Sequence, residues 1–317
     1  MPPSSHHFRP SIAHFGTIDR CPLRPRLLHC YEGESLRLVA EKGSGMRIML
    51  WSFGLLFLVV FVFWLGFQVP AGAFAAPPVT PGPVENVPLR AGLPAPVERF
   101  MHTVYGDNVP VYTSVVLTGH ARIRPVGPWH LPARTRFIHE TGASYRHYIE
   151  VTWFGLPVMS VDEGYVDGAS FFANALLGTQ ENEPKSNQGA NLALWAEAMS
   201  FPAVFVTDPR AEWQPVDDDT ALLRVPFEDE SETFVVRFDP TTHLITTMEV
   251  MRYQAKESAT KTLWIPMVIE WGSGDDIFTG MEGAALWANQ SGPWAYFTTD
   301  SIIHNGDVSD YIRARGK

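Results

Sequence analysis

Three histidines lie close together in the middle of the chain, and histidine side chains can bind a metal ion or transfer protons. They are His130, His139 and His147, and Glu140 and Glu150 stand beside them. A zinc hydrolase would carry His-Glu-x-x-His on a helix, but here Thr141 and Gly142 follow His139-Glu140. We therefore predict no metal, and we interpret the histidines as surface or interface residues of an antiparallel sheet.

Three carboxylates further along the chain, Asp162, Glu163 and Asp167, could pair as acid and base. A hydrolase with its site near His139/His147 and Asp162/Asp167 is accordingly one candidate function. The nucleophile motif Gly-x-Ser-x-Gly is missing, because Gly272-Ser273-Gly274 is too short and lies in a predicted turn. Glycine motifs that bind phosphates or dinucleotides are missing as well. The sequence therefore predicts no cofactor and favours a protein that is not an enzyme.

Aromatic residues point to a different chemistry, the binding of an apolar ligand. The chain contains 20 Phe, 10 Trp and 9 Tyr, and many of them fall on predicted strands. Core and cross-strand packing alone would use many of them. The other interpretation is an apolar cavity in a curved sheet, which suits a lipid or another hydrophobic molecule. On that interpretation the ligand-binding residues are Tyr145, Trp153, Trp264, Trp271, Trp287 and Trp294.

The elements that position these residues are mostly strands. Apolar and polar residues alternate in Ser114–Arg124, as in a half-buried strand, and this period of two recurs through most of the remaining chain. The predicted strands are 114–124, 133–140, 144–154, 156–162, 164–166, 203–206, 221–227, 233–238, 244–254, 262–271, 283–287 and 294–304. The pattern predicts helices at Ala95–Tyr105 and Ala190–Ser200 and a loop over Gly178–Gly189. Short turns such as Asp167-Gly168 join the strands, so the sheet should be mostly antiparallel.

A single uncharged segment precedes the strands, since the 22 residues from Ile48 to Val69 carry no charge. As a helix it would be about 33 Å long, which matches a hydrocarbon core of about 30 Å. Arg47 lies at its N-terminal end, so the positive-inside rule places the N-terminus inside and the C-terminal domain outside the cytoplasmic (inner) membrane. A cleaved signal peptide is the alternative, with small residues at Ala71-Gly72-Ala73 and Ala73-Phe74-Ala75, but the apolar run is too long for one.

Four segments follow from this placement. Residues 1–46 are a disordered cytoplasmic tail or an upstream start-site artefact, because Met46-Arg47 directly before the apolar run resembles a native start. Residues 47–69 are the transmembrane anchor, 70–92 a Pro-rich spacer without helix or sheet, and 93–317 an extracytoplasmic β-rich domain. The predicted fold class is mainly β (α+β): one N-terminal transmembrane helix, then a strongly curved antiparallel sheet or open half-barrel with two or three helices.

The charge is distributed unevenly between these segments. Residues 1–47 have a net charge of +3 and the remainder −13, and both cysteines, Cys21 and Cys30, precede the apolar segment. Nucleic acid is excluded as a partner, because binding phosphates requires a concentrated basic surface. The partners that we predict are the membrane, through one helix, and a lipid or other apolar small molecule.

Several short motifs occur together in the C-terminal domain. They are Leu93-Pro94-Ala95-Pro96-Val97, Tyr165-Val166-Asp167-Gly168, Ala175-Leu176-Leu177-Gly178 and Phe201-Pro202-Ala203. As a set they resemble an uncharacterised bacterial family of membrane-anchored domains of unknown function, from about Leu93 to the C-terminus. This resemblance implies no activity and no catalytic residues. The strand-rich pattern is also similar to periplasmic lipoprotein-carrier (LolA-like) proteins, which implies a curved sheet that holds an acyl chain.

Three functions remain open on these observations. The first is a non-catalytic domain, anchored on the outer face of the membrane, that binds a lipid or other apolar ligand in the concave face of its sheet. The second is the hydrolase described above. The third is a structural or sensory ectodomain, which a filled core without any pocket would favour.

Overall fold

The computed structural model describes residues 32–75, 79–125, 127–175, 178–273 and 277–315, and the chain divides into two units, Met1–Val60 and Phe61–Lys317. The N-terminal helix, α1 (Glu32–Gly66), contains one stretch, Gly45–Gly66, that is long and apolar enough to cross a membrane. Its large side chains, Trp51 among them, are exposed. A single-pass anchor and a signal sequence both fit this length and composition.

Both ends of α1 differ from the prediction. The helix begins at Glu32, so residues 32–46 are helical rather than disordered, whereas residues 1–31 lie outside the described part of the chain. It ends at Gly66 and not at Val69. Proline disfavours the helical conformation of the residue before it, and Pro70 follows Val69 directly.

The second unit is built from fifteen strands and four short helices within the described residues. The strands are β1 (Glu85–Pro88), β2 (Asn108–Val111), β3 (Ser114–Ile123), β4 (Leu131–Glu140), β5 (Ser144–Trp153), β6 (Leu156–Val166), β7 (Ala169–Asn174), β8 (Gly178–Glu181), β9 (Glu212–Pro215), β10 (Thr220–Phe227), β11 (Glu230–Phe238), β12 (Ile245–Arg252), β13 (Thr262–Glu270), β14 (Glu282–Trp287) and β15 (Ala295–His304). The helices are α2 (Ala95–Tyr105), α3 (Pro184–Ala196), α4 (Val204–Thr207) and α5 (Ser309–Ile312), with a 3-10 turn at Glu197–Ser200 after α3.

Thirteen of these strands form one curved antiparallel sheet that does not close into a barrel, in the order β8-β7-β6-β5-β4-β3-β15-β14-β13-β12-β11-β10-β9. Two meanders, β3 to β8 and β9 to β15, lie side by side because β15 pairs with β3. The predicted fold class is therefore confirmed. Tight turns join neighbouring strands, and at Asp167-Gly168 both residues have positive φ (51° and 86°), as a type I′ hairpin requires.

The core lies between one face of this sheet, here called the inner face, and helices α2 and α3. Helix α3 contacts β6, β7, β10 and β12, which belong to both halves of the sheet, so the sheet curves around it. From α2, Val97, Phe100 and Met101 are completely buried on one side. The opposite, outer face carries a small second core, where α5 covers Val116 and Ile138 with Val308 and Ile312.

Two local predictions were wrong. The polar segment Gly178–Gly189 is not a loop but strand β8 followed by the first turns of α3, which begins at Pro184. Proline suits the first turn of a helix, and the Glu183 side chain accepts a hydrogen bond from the Ser186 N–H and caps it. Ala203–Val206 was predicted as a strand, but Val204–Thr207 forms a helical turn. Tertiary packing overrides β propensity there, since Val204, Phe205 and Val206 are all buried.

The segment predicted as a spacer also contains structure. Strand β1 lies within it and pairs with β2 as a separate two-stranded sheet. Proline is tolerated at strand ends and in edge strands, which explains why Pro88 can end β1. Phe74 is buried, and the guanidinium carbons of Arg134 and Arg136 lie 4.6 and 4.8 Å from its ring centre. This part of the chain therefore packs on the outer face of the sheet.

Candidate functional site

A cavity of about 460 Å³ lies between helix α3 and the inner face of the sheet. Its wall is formed by α3, the 3-10 turn, the segment after β12 and strands from both meanders. Much of the lining is apolar: Leu117, Phe137, Ile149, Phe171, Trp264, Met267, Phe297 and Trp294. Charged and polar side chains share the same wall, notably His147, Glu163, Lys185, Glu197 and Arg252. The cavity is therefore amphipathic.

Strand pairing brings two histidines to the inner face next to this cavity. His139 on β4 pairs with Tyr145 and Phe137 pairs with His147 on β5, and alternate residues of a strand share one face. The 3-10 turn then presents Glu197 to both rings. Its Oε2 lies 2.7 Å from Nε2 of His147 and 3.2 Å from Nε2 of His139. The interpretation of these two histidines as surface residues was wrong, since His139 is 0% and His147 3% exposed.

The two histidines differ in the hydrogen bonds that their ring nitrogens make. His147 has a carboxylate at each ring nitrogen, because its Nδ1 lies 3.4 Å from Oε1 of Glu163. For His139, neither ring nitrogen makes a well-aligned hydrogen bond with any described atom, in spite of the short distance to Glu197. Phe137 stacks on His147 at 3.9 Å between ring centres and holds that ring in place.

Burial and charge set the protonation of this cluster. Burial by itself lowers the pKa of His147, but Glu197 and Glu163 outweigh it and raise that pKa to about 9. Burial raises the pKa of Glu197, and the two histidines outweigh it and lower that pKa to about 2. Burial lowers the pKa of His139, because Glu197 compensates only in part. The cluster thus holds one charged pair and a neutral, buried imidazole.

A second feature of the cavity wall is the guanidinium group of Arg252, at the end of β12. Its central carbon lies 4.3 Å from the ring centre of Trp264 and 5.7 Å from that of Trp287. It makes no hydrogen bond or ion pair with any residue that the structure describes, and its Nε is buried. Burial lowers the pKa of Arg252. Gly189 of α3 permits this position, since a Cβ there would lie 2.9 Å from Nε of Arg252.

Two indole groups add to the unpaired donors of the cavity wall. Nε1 of Trp264 and Nε1 of Trp294 are buried and have no hydrogen-bond partner among the described residues. Both groups, like Arg252, can only donate hydrogen bonds. This part of the wall is therefore complementary to a group that only accepts them.

The outer face of the same strands holds different charges. Arg146 donates two hydrogen bonds to Asp162, at 2.9 and 3.3 Å, and both side chains are buried. Arg134 pairs with Glu150 at 2.6 Å. Asp167 pairs with Arg313 at 2.9 Å, and Glu140 pairs with the same arginine. Asp162 and Asp167 thus face away from His139 and His147, so the predicted acid–base combination is not assembled.

The six aromatic residues predicted to bind a ligand divide into two groups. Tyr145, Trp264 and Trp294 line the cavity. The other three, Trp153, Trp271 and Trp287, do not line it. Trp287 lies tilted against Trp264 at 6.3 Å between ring centres, and Trp271 packs on Phe100 and donates a hydrogen bond to the carbonyl oxygen of Ile245. His130 is also elsewhere, since its Nε2 lies 2.9 Å from the carbonyl oxygen of Pro293. The role in ligand binding stays a prediction for all six.

Sequence reasoning missed Glu197 and Arg252. Glu197 lies 50 residues after His147, and Arg252 ends an ordinary-looking strand. One signal existed, because Glu197 is the only charged residue between Lys185 and Asp208. A lone charge in so apolar a helical segment is rarely placed there without a partner.

The fold and cavity define a class of protein: a half-open antiparallel sheet that curves around a helix and leaves a ligand-sized space beneath it. Residues 84–299 match DUF6544, a family of unknown function, and the chain belongs to this family. The resemblance predicted from the short motifs is thereby confirmed. No curated protein matches the chain.

Similar solved structures include a LolA superfamily protein from Nitrosomonas europaea, at 11% sequence identity and a TM-score of 0.41, over 71% of this chain and 99% of that chain. A putative outer membrane lipoprotein-sorting protein domain from Vibrio parahaemolyticus shares 7% identity at a TM-score of 0.35, over 68% of this chain and 92% of that chain. Neither likeness is strong enough to bear on what this chain binds.

Proposed function

We propose that the domain binds an amphiphilic anion, with its apolar chain against the inner face of the sheet and its acidic head group on Arg252. The observation that carries this proposal is the unpaired guanidinium in the wall of a cavity of about 460 Å³. That volume lies within the range of roughly 300–1,000 Å³ that ligand pockets occupy. The described residues enclose this cavity, whereas a purely structural ectodomain would be expected to have a filled core.

The position of Arg252 supports an anion as the head group. Arg252 is partly exposed but its Nε is buried, and a cation shielded from water without a counter-charge is costly, so a binding partner that supplies the negative charge gains free energy. The guanidinium presents several donors in one plane, which matches a carboxylate or phosphate. The indole N–H of Trp264, next to it, is a further donor for the same oxygen atoms.

The apolar part of the wall supports a hydrocarbon chain as the body of the ligand. Phe137, Ile149, Phe171 and Phe297 line the cavity from strands of both meanders. Apolar surface that stays accessible inside a fold contributes no packing energy until a ligand covers it. An apolar molecule alone would leave the donors unpaired, whereas an inorganic anion would leave this surface uncovered.

The proposal is tested by native mass spectrometry of the full chain, purified in detergent. We expect one bound fatty acid or acidic lipid per chain, and added palmitate should compete for it at least tenfold better than hexadecanol. These two probes share the apolar chain and differ in the charge of the head group. Equal competition by the alcohol would contradict the role of Arg252, and the absence of any adduct in the presence of excess palmitate would contradict the proposal itself.

We also propose that residues 47–69 anchor the protein in the cytoplasmic membrane, with 1–46 inside and the domain 93–317 outside. The length of the apolar stretch Gly45–Gly66, the net positive charge of residues 1–47 and the acidic remainder of the chain support this orientation. The connecting segment would then contact the domain through Phe74 and β1. Protease added to spheroplasts should digest the domain and spare the N-terminal segment. Protection of the domain would reverse the orientation, and a mature N-terminus near Ala73 or Ala75 would replace the anchor by a signal peptide.

A further inference from the structure

We infer that His139, His147 and Glu197 form a binding site for one divalent transition-metal ion, best suited to zinc, at the edge of the cavity. Two imidazole nitrogens and one carboxylate are a donor set that zinc uses with a fourth, exchangeable ligand. This inference is independent of the amphiphile, because it concerns other residues of the same wall.

The distances fit such a site. One donor atom from each of the three residues lies within 4.8 Å of the other two. Nε2 of His139 and Nε2 of His147 are 3.2 and 2.7 Å from Oε2 of Glu197. In a tetrahedral zinc site with bonds of about 2.0–2.1 Å, neighbouring ligand atoms are about 3.3 Å apart. An ion therefore requires the Glu197 carboxylate and the His147 ring to separate by roughly half an ångström.

The buried imidazole of His139 lies 3.2 Å from Glu197 without a well-aligned hydrogen bond, which the ion pair between His147 and Glu197 does not explain. A pair between His147 and Glu197 satisfies those two residues, but it leaves His139 completely buried with no well-aligned hydrogen bond at either nitrogen. Buried polar groups in native proteins have a partner in the great majority of cases. A metal ion gives Nε2 of His139 that partner and uses the same face of Glu197.

The residues around the three ligands resemble the support that metal sites carry. Oε1 of Glu163 lies 3.4 Å from Nδ1 of His147, on the side of the ring away from Glu197. A carboxylate in this position orients a metal-bound histidine and fixes which nitrogen binds the ion. Phe137 stacks on the same ring, and Tyr145 lies 4.3 Å from it between ring centres. The ring of His147 is therefore held from three sides.

The cavity leaves one coordination position accessible. His147 and Glu197 line it, whereas His139 lies behind them with no exposed surface. Structural zinc sites are closed by four protein ligands, and sites with three protein ligands retain a position for water or an oxygen atom of a ligand. The site is therefore of the open type, and a molecule in the cavity can reach the ion through an oxygen donor.

The experiment uses the full chain, purified in detergent without a polyhistidine tag and without chelator. We expect about one zinc ion per chain by elemental analysis. After removal of the metal, titration with Co²⁺ should give the visible absorption bands of a four-coordinate site with nitrogen and oxygen ligands. The variants His139→Asn, His147→Gln and Glu197→Gln should each lower the affinity for zinc more than 100-fold, since even outer partners of metal ligands change it 10- to 100-fold.

The matched control is His120→Asn, which removes an exposed histidine that pairs with Asp300 on the same sheet. It should bind zinc like the unmodified chain. Unchanged zinc affinity in Glu197→Gln, or equal loss in His120→Asn, would overturn the assignment. If the variants fail to fold, the zinc content and the Co²⁺ spectrum of the unmodified chain still test the assignment. Absence of stoichiometric zinc together with absence of the Co²⁺ bands would show that the cluster is only a buried ion pair.

Discussion

The two faces of strands β4, β5 and β6 both hold buried charges, but they hold them in different ways. On the outer face Arg146 and Asp162 satisfy each other through two hydrogen bonds, and Arg134 binds Glu150 through two more. On the inner face Glu197 lies between two histidines, Glu163 contacts only one of them, and the donors of Arg252 have no acceptor among the described residues. Neighbouring residues of the same strands therefore take part in two kinds of arrangement.

This difference separates charges that satisfy one another from charges without a complete set of partners among the described residues. A buried pair with complete hydrogen bonding is stable by itself, and removing one partner leaves an uncompensated charge. An incomplete set costs free energy in the folded chain, and a ligand can restore it. The comparison predicts that substitutions on the outer face act on stability, whereas those on the inner face act on binding.

The largest effect should come from the outer face. Asp162→Ala leaves Arg146 buried without its carboxylate, so we expect the free energy of unfolding to fall by about 3–5 kcal/mol. Denaturant titration of the full chain, followed by far-UV circular dichroism, measures this change. Glu249→Ala is the control, because its partner Arg237 is half exposed and such pairs contribute about 0–1 kcal/mol. Equal effects of the two substitutions would remove the distinction between the faces.

Arg252→Leu tests the inner face, where we expect a substitution to change ligand binding. The loss of a charged donor should weaken binding of an acidic amphiphile by about 1.5–3 kcal/mol, which is roughly 10- to 200-fold. Binding of the neutral hexadecanol should change little, and palmitate should lose its advantage over it in the native mass spectrometry competition. The control is Arg237→Leu, which removes a half-exposed arginine from its salt bridge with Glu249. Parallel loss of both probes would indicate a damaged cavity and not a head-group site.

Glu163→Gln should have a smaller effect, because Glu163 touches the proposed metal site only through His147. Substitutions of such outer partners reduce metal affinity by about 10- to 100-fold, and we expect the lower end for a contact of 3.4 Å. Zinc titration of the metal-free full chain measures the change. Asp300→Asn supplies the control, since it removes a carboxylate from the exposed His120. A change as large as that of a direct ligand would make Glu163 part of the site itself.

Gly189→Ala should have the smallest effect. The new methyl group would lie 2.9 Å from Nε of Arg252, and a flexible side chain can move away at little cost. We expect palmitate affinity to fall by only a few-fold, while the helix gains up to about 1 kcal/mol from the better helix former. Gly292→Ala, where an added Cβ meets nothing within 4 Å, should leave binding unchanged. An increase of affinity in Gly189→Ala would show that the present position of Arg252 is not the one that binds.

Local sequence patterns were sufficient for most of the sheet. The alternation in Ser114–Arg124 predicted β3 to within one residue, and the helix at Ala95–Tyr105 was predicted with its observed bounds. The wrong predictions concern segments whose secondary structure depends on tertiary contacts. Gly178–Gly189 is polar enough to resemble a loop, yet Asn187, Gln188 and Gly189 are buried because their amides and backbone pack under the sheet.

The candidate site was predictable only in part. His139 and His147 attracted attention by their types and spacing, and pairing of β4 with β5 does place them on one face. Of the three candidate carboxylates, Asp162 does not reach the histidines, because it is one residue out of phase with the inner face. Its neighbour Glu163 points inward, as the two-residue period of a strand requires.

The sequence by itself determined the apolar helix, the mainly antiparallel sheet and the placement of His139 and His147 on neighbouring strands, because these depend on period and local turn chemistry. Only the tertiary structure decided which residues complete the cavity wall. Glu197 reaches the histidines because the sheet curves around α3, and Arg252 reaches its two tryptophans because β12, β13 and β14 are neighbours. These contacts join residues that are 12 to 58 positions apart, so they depend on the path of the chain through several elements, which no local pattern encodes.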